Sequence, residues 1–271
     1  MKIFKRVLAA LAGVFILFYI ASAVLLASSK EPLPDFDGPR SAYDTIAIFG
    51  ASGTAGDGIL KAALADPTIR KIHVITRRTT PRIDAGVAAG KVEATIHMDY
   101  LDYDAIRPLL ADVDATYWAI GLSSLGVDEE TYAMIHVDFP ARFVETWMDA
   151  SNKLQASFHY ISSSDISEDS TAMWAREKYR AEQTLFALAE GSTLKVIAYR
   201  PDYIGPTSEE AHLGQNLLYG FFAPVGVAVK ARQIGEAMLE ASSRIASIGS
   251  GERIATQSII RYSEAYRERL R

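Results

Sequence analysis

Three glycines, Gly50, Gly53 and Gly56, stand between an apolar run, Thr45 to Phe49, and the helical spacing of Ile59, Leu60, Ala63 and Leu64. A strand that passes through such a turn straight into a helix admits few architectures. The first glycine permits the tight turn, the second lets the backbone approach a pyrophosphate, and the third lets the helix pack closely on the strand. The helix N-terminus then favours the anion. The spacing predicts a dinucleotide-binding unit, with Gly50, Ser52, Gly53, Thr54, Ala55 and Gly56 around the phosphates. The competing reading is a glycine-rich turn in a domain that holds no dinucleotide.

Five further strands are expected: Lys71 to Thr76, Val92 to Met98, Ala115 to Ile120, Ser157 to Ile161 and Leu194 to Tyr199. Helical patterns at Tyr103 to Leu110, Glu129 to Ala150 and Ala172 to Ala189 separate most of them. Alternation of this kind implies right-handed βαβ crossovers and a parallel sheet covered on both faces. The expected fold is therefore a doubly wound α/β domain, a Rossmann fold, over residues 44–271. From about Pro201 the pattern becomes a loop, Gly205 to Gly214, then apolar runs and helices at Ala231 to Ser243 and Thr256 to Leu270. This reads as a small substrate-side cap with closing helices.

Composition narrows the function. Among 271 residues, 28 basic against 33 acidic side chains give a net charge of −5, which argues against reading the phosphates of nucleic acid. The absence of cysteine rules out disulfides, thiolate zinc sites, iron–sulfur clusters and thiol catalysis.

The N-terminal residues 1–29 differ from the rest. Lys2, Lys5 and Arg6 precede an uncharged run from Val7 to Ser29, long enough for the roughly 20 residues that cross a bilayer. A single transmembrane anchor is expected, with a cleaved signal at Ala21-Ser22-Ala23 or Ala27-Ser28-Ser29 as the alternative. Residues 30–43, with Pro32, Pro34, Gly38 and Pro39, read as a linker. The basic cluster would keep the N-terminus cytosolic and the domain on the far side, whereas supply of a dinucleotide favours a cytosolic domain. A domain on the cytosolic side is expected.

Cofactor preference is read at the end of the second strand. A site for NAD usually places an acidic residue there, to accept from the ribose hydroxyls. Here Lys71 to Thr76 runs into Arg77 and Arg78, whose guanidinium groups suit the 2′-phosphate of NADP. NADP is expected, with NAD second. Asp99-Tyr100 after the third strand is placed to accept from the adenine amino group, and Gly121 after the fourth leaves room beside the nicotinamide.

In this order the motifs resemble the short-chain dehydrogenase/reductase superfamily, in its extended and atypical, epimerase-like branches. The resemblance covers about Thr45 to Pro206. It rests on Gly50, Gly53 and Gly56, on Asp99, on Ala119-Ile120-Gly121, on Ser162-Ser163, on Lys178 and on Arg200-Pro201. It implies a small carbonyl or hydroxyl substrate, Lys178 at the nicotinamide ribose, and Ser162 with Lys178 as the catalytic pair. Active members carry a tyrosine four residues before the lysine, on the same helix face, as proton donor. Here that position is Trp174, which does not titrate. Either another group, Tyr179, Tyr203 or Tyr132, supplies the proton; or the protein binds the dinucleotide without turnover, as a regulator or assembly factor; or Trp174 fills an apolar gap under a degenerate cleft.

No metal is expected, since His73, His97, His136, His159 and His212 lack ligand spacing and read as structural or surface residues. Ser123-Ser124 and Ser162-Ser163-Ser164 lack the nucleophile elbow of hydrolases. Phe221-Phe222 and Trp147 read as core or cap packing.

Overall fold

The computed structural model describes residues 2–28, 33, 36, 38–207 and 213–271, with the backbone alone for residues 2–10, 27, 28 and 213. Seven strands form one parallel sheet: β1 (Thr45–Phe49), β2 (Lys71–Thr76), β3 (Val92–Ile96), β4 (Ala115–Trp118), β5 (Ala156–Ile161), β6 (Leu194–Arg200) and a late strand (Glu252–Ala255). Their order is β3-β2-β1-β4-β5-β6 with the late strand last, so the order in which strands are added reverses between β1 and β4 while all run parallel. That is the doubly wound Rossmann arrangement, and its crevice opens where the order reverses.

The strands are apolar because both faces are covered. Ile46 and Ile48 of β1 point into a core shared with α2 (Thr54–Ala65) and two C-terminal helices, Ala231–Ser243 and Thr256–Arg269. Ala47 and Phe49 point the other way, among Phe143, Trp147, Phe158 and Leu185. The Trp147 indole donates to the Leu110 carbonyl at 3.2 Å, which satisfies its one polar atom inside that core.

Several boundaries shift. The third and fourth strands stop at Ile96 and Trp118, two residues before the expected ends. The helix expected over 129–150 is interrupted: α5 (Glu129–Ala133) passes through a π-helical turn, Met134–Asp138, into α6 (Phe139–Ala150). Besides the two-residue strands Ile204–Gly205 and Val229–Lys230, three elements were absent from the sequence expectation. Helix α3 (Pro81–Ala88) begins at Thr80, whose hydroxyl accepts from the Ile83 N–H, with Pro81 in the first turn. The late strand has one buried side chain, Ile254, and so shows no apolar run. A ten-residue helix, Leu213–Phe222, begins at the end of the expected loop and runs through the apolar stretch that follows it.

With these, the remaining elements are α1 (Lys2–Ser28), α4 (Arg107–Leu110), α7 (Met173–Ala189), β7 (Ile204–Gly205), α8 (Leu213–Phe222), β8 (Val229–Lys230), α9 (Ala231–Ser243), β9 (Glu252–Ala255) and α10 (Thr256–Arg269). The cap consists of the small β7–β8 ladder and α8. The end of the expected linker is clamped onto α9, where Arg40 donates to Glu240 at 2.9 Å and to Ser243 at 2.6 Å.

Among the described residues no helix is long and apolar enough to cross a membrane. The described side chains of α1 run from Leu11 to Leu26, shorter than a span requires, so the transmembrane segment expected from the sequence is not supported by them. Those side chains include exposed Leu11, Val14, Phe15, Leu17, Phe18 and Leu25.

Candidate functional site

A cleft of about 270 Å³ opens at the switch point, between the C-terminal ends of β1, β2 and β4. Gly50, Ser52 and Gly53 form one wall, Thr76, Arg77, Arg78 and Tyr100 a second, and Ala119, Gly121, Leu122 and Phe139 a third.

The three glycines meet different demands. Gly50 has φ +78°, in the left-handed region, and a Cβ there would stand 2.6 Å from the Ala119 carbonyl. A Cβ on Gly56 would stand 2.0 Å from the Gly50 oxygen, so helix and turn touch through that gap. A Cβ on Gly53 would meet nothing closer than 3.5 Å. The N-terminus of α2 at Gly53 has no side-chain cap, which leaves its first N–H groups available to an anion. Thr54 is exposed beside them, and Ala55 packs partly against the core.

The second wall carries positive charge. Arg77 and Arg78 are both exposed at the end of β2, and the Arg78 guanidinium reaches the Ser52 carbonyl at 3.5 Å. The Arg77 charge acts on the Tyr100 phenol, which burial nonetheless holds above its ordinary pKa. Asp99 does not line this cleft. Its carboxylate accepts from the Leu101 N–H at 2.9 Å and shapes the loop.

Ser162 and Lys178 lie one strand further along, outside the walls of the cleft. Ser162 follows β5; its backbone N–H donates to the Tyr199 carbonyl at 2.8 Å, while its buried Oγ has no partner. The Lys178 ammonium donates to the Ile161 carbonyl at 2.9 Å and sits 4.9 Å from the centre of the Tyr160 ring. Burial pulls its pKa down to about 7, against the opposing charge of Glu182.

The element between cleft and lysine is the π-helical turn, a distortion that recurs at functional sites. It carries His136, which has two neighbours that sequence reasoning missed. A Cβ on Gly121 would meet the imidazole at 2.8 Å, so that glycine makes room for the ring. The Tyr132 ring also packs against the imidazole, tilted by 34° with the ring centres 4.1 Å apart. Burial, then the Lys178 charge, pushes the His136 pKa down to about 2, so the ring is neutral. Tyr132 is raised to about 12 by burial and by Glu177. Tyr179 is half-buried, and Tyr203 belongs to the cap, 5.9 Å from Phe222.

Arg176 explains part of the segment Trp174-Ala175-Arg176-Glu177-Lys178. Its guanidinium donates to the Ser170 and Thr171 carbonyls and to Glu129 at 2.8 Å, which ties α7 to the start of α5. Arg200 is likewise structural, in a two-bond pair with fully buried Glu182 at 2.9 and 2.6 Å. His73, His97, His136 and His159 are buried, and no metal-ligating cluster occurs among the described residues; His212 lies outside them. Phe221 departs from the expected packing: it is exposed and stacks 5.3 Å from Tyr19 of α1.

No family model matches the chain. A curated relative, "Leucinostatins biosynthesis cluster protein T" of Purpureocillium lilacinum, is 29% identical over 143 residues, which cover 52% of this chain and 51% of the relative. The chain thus spans about half the length of that relative. Among solved structures, an oxidoreductase of the short-chain dehydrogenase/reductase family from Burkholderia thailandensis superposes with a TM-score of 0.63 at 18% identity, covering 81% of this chain and 93% of that one. A UDP-glucuronic acid 4-epimerase from Bacillus cereus, in complex with UDP-glucuronic acid and NAD, gives 0.57 at 16% identity, covering 78% and 77%. The chain shares the Rossmann fold of these dehydrogenases/reductases and epimerases.

Proposed function

We propose that this protein is an NADP(H)-dependent oxidoreductase, reductase or epimerase-like, acting on a small carbonyl or hydroxyl compound. The observation that carries the reading is the buried Lys178 amine on the Ile161 carbonyl, next in the chain to Ser162 with its unpartnered Oγ, one strand from a glycine-walled, arginine-lined cleft. The shared fold with an epimerase whose structure holds NAD adds support for a nicotinamide cofactor.

The residues present fit such a cofactor. Gly53 and the uncapped α2 N-terminus suit the pyrophosphate. Arg77 and Arg78, with no acidic residue at the end of β2, suit a 2′-phosphate. When bound, the nicotinamide would supply or accept hydride. The chain's own task is the proton. Ser162 Oγ–H donates to the substrate oxygen, and Lys178 Nζ gives up or takes back a proton there. An amine with a pKa of about 7 is matched to that work near neutrality, better than Tyr132 at about 12.

Turnover of a carbonyl panel by the full chain with NADPH tests this. Ser162→Ala should lose turnover while keeping cofactor binding. If the native chain is silent and Trp174→Tyr alone turns over, the enzyme reading falls and cofactor binding without chemistry replaces it.

The second part of the reading is location. A 27-residue helix with exposed apolar side chains supports attachment of residues 1–29 to a membrane, with the domain on the cytosolic side. The expected result is resistance to alkaline extraction and sensitivity of the domain to protease added on the cytosolic face. A soluble chain beginning near Lys30 would overturn it.

A further inference from the structure

Helix α8 is turned inside out for a helix on the surface of a water-soluble domain. Its half-buried positions are Gln215, Tyr219 and Phe222, spaced i, i+4, i+7. Tyr219 packs on Gly205, where a Cβ would stand 2.7 Å from its ring, and the Lys230 ammonium lies 5.3 Å from the centre of that ring. The outward positions Leu217, Leu218 and Phe221 also follow one helical stripe and are 66%, 49% and 46% exposed. A surface helix normally buries such a stripe. From Leu213 to Val229 the sequence carries no charge.

Two neighbours say what this face meets. The first is α1: the Tyr19 hydroxyl donates to the Phe221 carbonyl at 2.5 Å, the two rings stack, and Leu26 lies against Gly226 just after α8. The exposed apolar stripe of α8 thus continues onto the exposed apolar side of α1. The second neighbour is a groove of about 450 Å³ lined by Lys61, Lys230, Arg232 and Arg267, in which Glu236 is the only carboxylate among the described lining residues. Arg232 and Arg267 share that carboxylate at 2.9 and 2.7 Å, so among the described lining residues Lys230, Arg232 and Arg267 outnumber it. Lys230 belongs both to the groove and to the contact with α8.

We propose that α8 lies in the surface of an anionic phospholipid bilayer, with Leu217, Leu218 and Phe221 among the acyl chains and Lys230, Arg232 and Arg267 of the groove facing the headgroup phosphates. At 1.5 Å per residue its ten residues reach about 15 Å, half of a hydrocarbon core, so it lies along the surface and does not cross. An apolar face bordered by basic residues is the pattern of such interfacial helices. The cap is then held at the membrane, where an apolar substrate would arrive. This inference rests on the reading of α1 as a membrane anchor.

The chain has no cysteine, so single substitutions accept a spin label at one site. Full-length Val24→Cys, Leu217→Cys, Phe221→Cys and, at the 93% exposed Leu154, Leu154→Cys are labelled and reconstituted into vesicles of phosphatidylcholine with phosphatidylglycerol. Collision with oxygen is compared with collision with a water-soluble nickel chelate. The expected result is a ratio at 24, 217 and 221 several-fold more oxygen-favouring than at 154, and lower at 217 and 221 when Lys230→Glu is added. Lipid contact at 24 with water contact at 217 and 221 overturns the inference and leaves the anchor standing. Water contact at all three overturns both. Dipolar broadening between labels at 217 would mean that a second copy covers the helix, and also overturns it.

Discussion

Gly56 and Gly50 are in contact through a missing side chain: a Cβ on Gly56 would stand 2.0 Å from the carbonyl oxygen of Gly50. The first turn of α2 is thereby drawn under the turn that leaves β1, and the helix N-terminus is aimed into the cleft. Gly53, three residues earlier, has room for a Cβ, which would meet the Gly50 oxygen at an ordinary 3.5 Å.

This difference separates fold from binding. Gly56→Ala forces α2 away from β1, and we expect a loss of stability of about 1–3 kcal/mol from overpacking, together with loss of NADPH affinity. Gly53→Ala, at φ −102°, should leave the melting temperature nearly unchanged and still lower NADPH affinity more than tenfold, because its methyl occupies the approach to the helix N-terminus. Thermal unfolding and fluorescence titration of both variants check the pair. Equal effects in the two assays for Gly53→Ala would show that its openness serves no ligand.

Arg77→Asp removes a charge-assisted partner and supplies the carboxylate that suits unphosphorylated ribose. NADPH binding should weaken more than tenfold, about 1.4 kcal/mol or more, while NADH binding is spared or improved. Parallel loss of both would assign Arg77 to the structure of the β2–α3 loop.

Lys178 gives a pH signature in two measurements. Its pKa is depressed to about 7 when folded and lies near 10.4 when unfolded, so between these values the unfolded chain binds more protons. Stability must then rise with pH across that window, by at most about 1.4 kcal/mol per unit from this group. Lys178→Met should flatten the rise. If the protonated amine is the acid in carbonyl reduction, the rate should fall above about pH 7. A rate that keeps climbing to pH 9 would move the acid elsewhere.

At the acid end the buried histidines act with the same sign. Burial pushes His159 down to about 3 and His136 down to about 2, whereas the unfolded chain titrates near 6.5. Below about pH 6.5 the unfolded state gains protons that the folded state refuses, so stability falls as pH falls, by up to about 1.4 kcal/mol per unit for each ring. His159 bridges Tyr199, Ser157 and Ser242 at 2.9 Å each. His159→Phe should cost about 1–3 kcal/mol at pH 7 from the hydroxyls left unpaired, yet make the acid limb shallower. Urea unfolding between pH 4 and 7 measures both.

What could be read without the structure follows from local rules. Five of the six strands Thr45–Phe49 to Leu194–Arg200 are apolar because they are covered on both faces, and that shows directly as runs of apolar residues; the third, Val92–Ile96, lies at the sheet edge and is partly exposed. Helix α3 also has a local signal, the capping Thr80 before Pro81. Strand β9 had none, since one buried isoleucine suffices at a sheet edge.

The sequence by itself determined the alternation of strands and helices, the glycine turn, and the presence of Arg77, Ser162, Lys178 and Trp174 at defined places in that order. Each of these depends on neighbours a few residues away. Only the tertiary structure decided that Gly121 leaves room for His136, that Tyr132 packs against that ring, and that Arg176 ties α7 to Glu129. It alone decided that Asp99 shapes its own loop and that α8 turns Leu217 and Phe221 outward beside Tyr19. The physical reason is that these contacts join elements far apart in the chain. Their geometry is set by how helices pack across the sheet, and no spacing within a single element encodes it.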